Sequence, residues 1–261
     1  VQAGMRAGHE NPPCIDIPGS GVTSESALAI EALDRCIWAL LFHRAEATLT
    51  LEEALAFDPD FALAHVVRGF QLRLLARAEL APAIAQAITR ARSSLARRGA
   101  DPREHMLLDA LAAWHAGEAS RAHTILSATC AAYPRCLLSM KLLHALSLMY
   151  GKLELTRSAL ECNLGELEPR SHQHGVVLGC YAFALHEYGL VAGAREAALE
   201  ALEIRGDDVW ALHALLHVFT GQQQISEASA AFARWGNHLE RCNNFRAHLA
   251  WHRALLAIAS G

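Results

Sequence analysis

The chain is interrupted by helix breakers at a fairly regular interval, and this regularity constrains its fold more than any other feature. Breaks recur roughly every 34 residues with a glycine between successive breaks, which is the period of a helix-pair repeat. Between the breaks, apolar residues recur at three- and four-residue spacings, the pattern of an α-helix. The breaks are Asp58-Pro59, Asp101-Pro102, Tyr133-Pro134, Glu168-Pro169 and Gly206-Asp207, and the glycines are Gly117, Gly151, Gly189 and Gly221.

These positions predict an all-α protein of consecutive antiparallel helix pairs. Proline in a first helical turn costs no hydrogen bond, and an aspartate just before it can cap the helix. We expect about thirteen helices, arranged as about six pairs and a final unpaired helix. Glycine and proline interrupt residues 1–24, which predicts an extended arm, and residues 25–261 are predicted to form a single helical-repeat domain.

Composition narrows the classes of function. Hydrophobic residues make up 52% of the chain and charged residues 19%, which is enough apolar surface to fold. The net charge of −4 argues against a nucleic-acid partner. No apolar stretch is long enough to span a membrane. The seven cysteines are scattered and lack a CxxC pair, so we expect reduced thiols and a cytoplasmic location.

Small residues at matching positions resemble those of tetratricopeptide repeats, in which two helices cross at close range. A larger side chain at such a crossing would push the helices apart. The resemblance predicts a right-handed superhelix. The matching residues are Ala182, Gly189, Ala194 and Ala201 in one unit, Ala110, Gly117, Ala122 and Pro134 in another, and Ala47, Ala54 and Pro59 in part of a third.

Longer stretches resemble the tetratricopeptide repeat protein 38 family, from about residue 20 to the end of the chain. Phe219-Thr220 departs from the glutamate–methionine pair usual in that family, and members of the family continue with more helices after the last one here. The resemblance implies the fold rather than an activity. The stretches that carry it are residues 58–65, Arg103-Glu104-His105 with Trp114 and Gly117, residues 181–189, residues 210–218 and residues 248–255.

Four titratable residues fall in one column when the helix pairs are aligned. Asp109, His144, Tyr181 and His213 each directly precede a small residue, at a position usually occupied by leucine in tetratricopeptide repeats. Burying such a group without a partner costs about 1–3 kcal/mol, so each should have one. The column therefore predicts either a hydrogen-bonded ladder that fixes the stacking or a polar-lined cavity.

Two His-x-x-x-His pairs, His213 with His217 and His248 with His252, strengthen the cavity interpretation. A four-residue spacing places both imidazoles on one helix face, where they can chelate a metal or act as acid and base. Chance is a rival explanation, since the chain has fifteen histidines. Because neither pair has an evident third ligand, we predict no bound metal. Because the sequence has no nucleotide-binding motif, we also predict no cofactor.

The predicted catalytic set joins the two histidine pairs to Asp109 and Tyr181. The predicted substrate-binding set is Trp210, Trp251, His144, Glu187 and His105. The tryptophans would wall an apolar pocket, although a core position at a helix contact is the commoner place for a tryptophan.

Two functions follow from these features. The first is a small-molecule-binding protein, and possible chemistry is cofactor-free proton transfer, elimination or ring closure. The second is an adaptor that binds a peptide or partner subunit in its groove, the common use of helical repeats.

The final helix is apolar with sparse polar cover, so we also expect a homodimer or a separate partner chain on that helix.

Overall fold

The computed structural model describes residues 21–99 and 101–260, which contain thirteen α-helices and no β-strand. The predicted all-α class and helix number are confirmed. Most of the predicted arm, residues 1–20, lies outside the described residues. The helices are α1 (Ala27–Leu41), α2 (Ala47–Phe57), α3 (Ala62–Leu74), α4 (Ala81–Arg98), α5 (Pro102–His115), α6 (Ala119–Ala132), α7 (Leu137–Met149), α8 (Arg157–Glu166), α9 (His172–Glu187), α10 (Val191–Ile204), α11 (Val209–Gly221), α12 (Ile225–Trp235) and α13 (Phe245–Ser260), with 3-10 turns at Ala78–Leu80, Leu153–Thr156 and Gly236–Arg241.

Aspartates begin two of the helices at the predicted breaks. The Asp101 carboxylate accepts hydrogen bonds from the backbone N–H groups of residues 103 and 104, and Pro102 follows as the first residue of α5. Asp208 does the same for residues 210 and 211 at the start of α11. Both caps satisfy N–H groups that the helix itself leaves without partners.

Glycines form three of the four predicted turns. Gly117, Gly151 and Gly189 adopt positive φ angles of 83°, 64° and 76°, which a residue without a Cβ reaches at little cost. The fourth turn differs from the prediction. Gly221 is the last residue of α11, and Gln223 takes the left-handed conformation with φ of 59°. The helix therefore continues to the glycine and turns two residues later.

Small residues lie where neighbouring helices meet. The helices of five expected pairs pack directly against each other: α1 with α2, α3 with α4, α5 with α6, α9 with α10, and α11 with α12. Successive helices of different pairs also pack together, namely α6 with α7, α8 with α9, and α10 with α11. The alanines that the tetratricopeptide resemblance singled out have no exposed surface at positions 54, 110, 122, 182, 194 and 201. Their burial agrees with a close crossing of helices at these positions.

The loop after α1 contacts the segment that precedes α13. The Ala45 N–H donates to the Arg241 carbonyl, and the Asn243 N–H donates to the His43 carbonyl. Arg44 forms a partly buried ion pair with Asp207 at 2.6 Å. In addition, α1 packs against α7. These contacts hold distant parts of the chain around a shared interior space.

Among the described residues, no helix combines the length and the apolar character required to cross a bilayer.

Candidate functional site

Helices α11 and α13 bring four imidazoles together in what we call the four-histidine cluster: His213, His217, His248 and His252. His248 Nε2 lies 2.8 Å from His213 Nε2 and 3.1 Å from His252 Nε2. One ring nitrogen from each of the four residues lies within 4.8 Å of those of the others. His213 and His252 are buried, whereas His217 and His248 are partly exposed. The cluster therefore has a buried side and a side that solutes can reach.

Aromatic rings hold the cluster in place. Phe183 of α9 stacks on the His213 ring at a centroid distance of 5.1 Å and meets the His217 ring edge-on at 5.4 Å. Phe245 and Trp210 contact His213 from other directions, at 5.3 and 5.0 Å. Such contacts restrict the rotamers of the imidazoles. The ring nitrogens are thus positioned by packing from three helices.

Burial keeps the cluster uncharged near neutral pH. Desolvation, followed by repulsion from neighbouring histidines, lowers the pKa of His217 and of His252 to about 4. The same causes, in the same order, lower the pKa of His213 still further. Neutral imidazoles have a free lone pair on one nitrogen, so at pH 7 the cluster can accept protons or coordinate a metal.

A cavity of about 900 Å³ adjoins the cluster. Residues of α1, α2, α3, α4 and α7 line it, and Trp210, Phe245 and His248 complete its wall. Most of the lining is apolar, with Ile37, Leu41, Leu51, Val67, Phe70 and Leu142 among the contributors. His248 thus belongs both to the cavity wall and to the four-histidine cluster.

Two polar residues of α7, His144 and Lys141, line this cavity. His144 is 1% exposed, and neither of its ring nitrogens has a hydrogen-bond partner among the described residues. Burial, and then the charge of Lys141, lowers the pKa of His144 to about 3. The Lys141 amino group lies 4.9 Å from the centre of the Trp210 ring and donates a long hydrogen bond to the Cys180 sulfur at 4.0 Å. Burial raises the pKa of the Asp208 carboxyl and the charge of Lys141 opposes that increase, but no carboxylate in the described part of the chain forms a direct ion pair with Lys141. The His144 and Lys141 side chains therefore both have capacity for a further polar contact.

The predicted site residues divide into two groups. Trp210 and His144 line the cavity, and Trp251 contacts the His248 and His252 rings while remaining 55% exposed. Glu187 pairs with His186, whose ring lies 5.5 Å from that of His217. These four predicted residues therefore lie at the cluster or next to it.

The structure does not bring Asp109, Tyr181 or His105 to the cluster. Asp109 and His105 lie on the exposed face of α5, which packs against α3, α4 and α6 instead. The Tyr181 hydroxyl donates to Glu161 at 2.9 Å. Successive helical residues are rotated by 100°, so Tyr181 and Phe183 are about 200° apart on α9, and Phe183 is the one that meets the histidines. The His/Asp/Tyr combination predicted from the sequence is therefore not assembled.

Sequence reasoning did not identify four residues that shape the site: His43, Lys141, Phe183 and Phe245. The His43 ring stacks on Phe245 at 4.6 Å and on Trp210 at 5.5 Å, at a backbone φ of 54°. Lys141 lies one helical turn before His144, and this spacing is the one signal in the sequence that connects it to the column of titratable residues.

Comparison with known proteins gives no assignment. No family model matches the chain, and no solved structure matches it.

Proposed function

We propose that the protein binds a small organic anion with an apolar body in the 900 Å³ cavity. The observation that carries the proposal is Lys141, a cation in a largely apolar wall with no carboxylate at ion-pair distance among the described residues. Of the other cations of the wall, Arg44 pairs with Asp207 and Arg68 with Glu52, whereas Arg90 has no ion pair among the described residues and is exposed to solvent. A carboxylate or sulfonate of a ligand would give Lys141 a direct ion pair, which the buried Asp208 carboxyl does not form although it interacts with the lysine charge.

His144 supports the same proposal. A buried polar group without a hydrogen bond costs about 1–3 kcal/mol, and a ligand acceptor or donor in the cavity would recover part of that cost. The surrounding apolar side chains would contact the body of the ligand, as in small-molecule sites generally. Because Asp109 and Tyr181 lie elsewhere, the proposal covers binding and does not extend to the acid–base reaction expected from the sequence.

A second part of the proposal concerns the fold, and it rests on the regular helix breaks and small residues of the sequence. We propose that the helices form a right-handed tetratricopeptide-like superhelix of about six pairs with a final unpaired helix, and that the chain belongs to the tetratricopeptide repeat protein 38 family. Direct packing of five successive pairs supports the arrangement. In such a superhelix the inner faces of the helices line a concave surface, the usual place for a ligand.

Replacing Lys141 by methionine is expected to abolish the preference for an anion while keeping the apolar stem. The test compares 1-naphthylacetate with 1-naphthylacetamide, which have nearly the same shape and differ in charge. We expect the wild-type protein to bind the acid about tenfold more tightly, the equivalent of one charge-assisted hydrogen bond, and the variant to bind both equally. Isothermal titration calorimetry measures both affinities.

The chain offers a matched control because it has only one other lysine. Lys152 is exposed and lies outside the cavity, so Lys152→Met should retain the wild-type preference. Equal affinity of the wild-type protein for the acid and the amide would contradict the proposal, as would an unchanged preference in Lys141→Met.

The exposed face of α13 favours a second candidate function, association with a second copy of the chain. Leu255 is 42% exposed and Ile258 is 78% exposed, and Trp251 extends the same apolar surface. We expect the protein to be dimeric by light scattering and the Leu255→Glu/Ile258→Glu variant to be monomeric, since two buried charges would oppose the contact. The control is Leu28→Glu/Leu49→Glu, which changes two exposed leucines of α1 and α2. A monomeric wild-type protein would refute this candidate.

A further inference from the structure

The four-histidine cluster has the ligand number that each pair lacks alone. The expectation of no metal rested on two separate His-x-x-x-His pairs, each without a third ligand. In the structure α11 and α13 place the pairs face to face, with ring nitrogens within 4.8 Å of one another. Four nitrogen ligands form a complete set for a tetrahedral ion.

Hydrogen bonding alone accounts poorly for the spacing of the nitrogens. His248 Nε2 is close to two others, at 2.8 Å and 3.1 Å. A neutral imidazole nitrogen has either one hydrogen or one lone pair, so His248 Nε2 can form one good hydrogen bond rather than two. Lone pairs that converge on a common point are satisfied together when a cation occupies that point.

The dimensions suit a transition-metal ion. Zinc–nitrogen bonds of 2.0–2.1 Å in a tetrahedron place the nitrogens about 3.3 Å apart. The two contacts at His248 are slightly shorter than this, and the largest separation in the cluster is 4.8 Å. Side-chain rotations of the partly exposed members, His217 and His248, would bring the set into coordination geometry.

The chemistry of the ligands selects the class of ion. The set consists of imidazoles without a carboxylate, which suits zinc, copper, nickel or cobalt and does not suit magnesium or calcium, since these prefer oxygen. The faces of Trp251 and Phe245 next to His248 favour a positive charge nearby.

We infer that the four-histidine cluster binds one divalent transition-metal ion per chain, with Zn²⁺ as the best fit. The ion would lie beside the cavity wall, because His248 belongs both to that wall and to the four-histidine cluster. This inference is independent of the proposed anion site, since none of the four histidines is the residue on which that proposal depends. If the protein binds zinc but shows no preference for anions, the metal site stands and the proposed anion site fails.

The test is a titration of chelator-treated, tag-free protein with Zn²⁺, followed by Co²⁺ as a spectroscopic probe. We expect one Zn²⁺ per chain and, with Co²⁺, the intense visible absorption of tetrahedral coordination. His217→Gln/His252→Gln removes one ligand from each helix and should weaken Zn²⁺ binding by about 100-fold or more. The matched control, His105→Gln/His115→Gln, changes two histidines of α5 and should bind Zn²⁺ as the wild-type protein does.

The wild-type titration decides the inference even if the double variant fails to fold. Absence of a stoichiometric Zn²⁺ site in the wild-type protein would overturn it. So would Zn²⁺ binding that the His217→Gln/His252→Gln variant retains while its circular dichroism remains helical. In the expected case Zn²⁺ also raises the melting temperature of the wild-type protein and not that of the double variant, because an ion that binds only the folded state stabilises it.

Discussion

Replacing Trp114 by alanine is expected to lower the free energy of unfolding by about 3–5 kcal/mol, the cost of removing a large aromatic side chain from a core. Trp114 of α5 is completely buried, its ring lies 6.2 Å from that of Phe70, and the Arg73 guanidinium covers it at 5.1 Å. These contacts connect α5 with α3, whose other residues line the cavity. Because a domain is stable by only about 5–15 kcal/mol, a large part of its stability depends on this residue.

Urea denaturation measures the effect of the Trp114 substitution. The midpoint should fall while the dependence on urea concentration stays constant, which indicates a change in stability rather than in compactness. The control is Leu49→Ala, since that leucine of α2 is 68% exposed and its loss should cost less than about 1 kcal/mol. Equal effects of the two substitutions would show that the helices do not pack as described.

Local sequence signals predicted the helices because caps and turns depend on neighbouring residues. Asp101 with Pro102 begins α5, and Gly117 and Gly189 adopt the turn conformations expected of glycine. After Gly221 the turn follows directly, but Gln223 takes the left-handed conformation, because glycine permits that conformation without requiring it.

The candidate site was less predictable because it depends on how helices meet. The spacing of each histidine pair fixed one helix face, but only packing could show that the faces of α11 and α13 oppose each other. The column of titratable residues assumed that every helix presents the same face inward. His144 and His213 satisfy that assumption, since both contact Trp210, whereas Tyr181 turns its hydroxyl to Glu161 and Asp109 faces outward.

Lowering the pH from 7 to 4 in the presence of a chelator is expected to destabilise the protein by several kcal/mol. Burial lowers the pKa of His144 to about 3 and that of His217 and His252 to about 4, from an ordinary value of 6.5. As the pH falls below 6.5, histidines of the unfolded chain take up protons that the folded chain does not. Each such proton lowers the free energy of unfolding by about 1.4 kcal/mol per pH unit.

Two buried carboxyl groups act in the opposite direction. Burial raises the pKa of Asp208 from 3.8 to about 6 and also raises the pKa of Glu104, so the folded state retains protons that the unfolded state loses. These two contributions stabilise the folded state as the pH falls. They offset part of the histidine effect, and the histidines are more numerous, because the pKa values of His213 and His43 are also lowered by burial. The predicted sign is therefore destabilisation on acidification.

His144→Leu isolates one of these contributions, because leucine is the residue usual at that position in tetratricopeptide repeats and has no proton to gain. Near pH 5 the variant's stability should depend on pH less steeply than that of the wild-type protein, by about 1.4 kcal/mol per pH unit. The control is Leu49→Ala, which changes an exposed residue of α2 that has no titratable group and should leave the pH dependence unchanged. Urea midpoints measured from pH 7 to pH 4 give the slopes. If His144→Leu keeps the wild-type slope, His144 is not buried as an uncharged imidazole, and its availability to a ligand in the cavity fails with it.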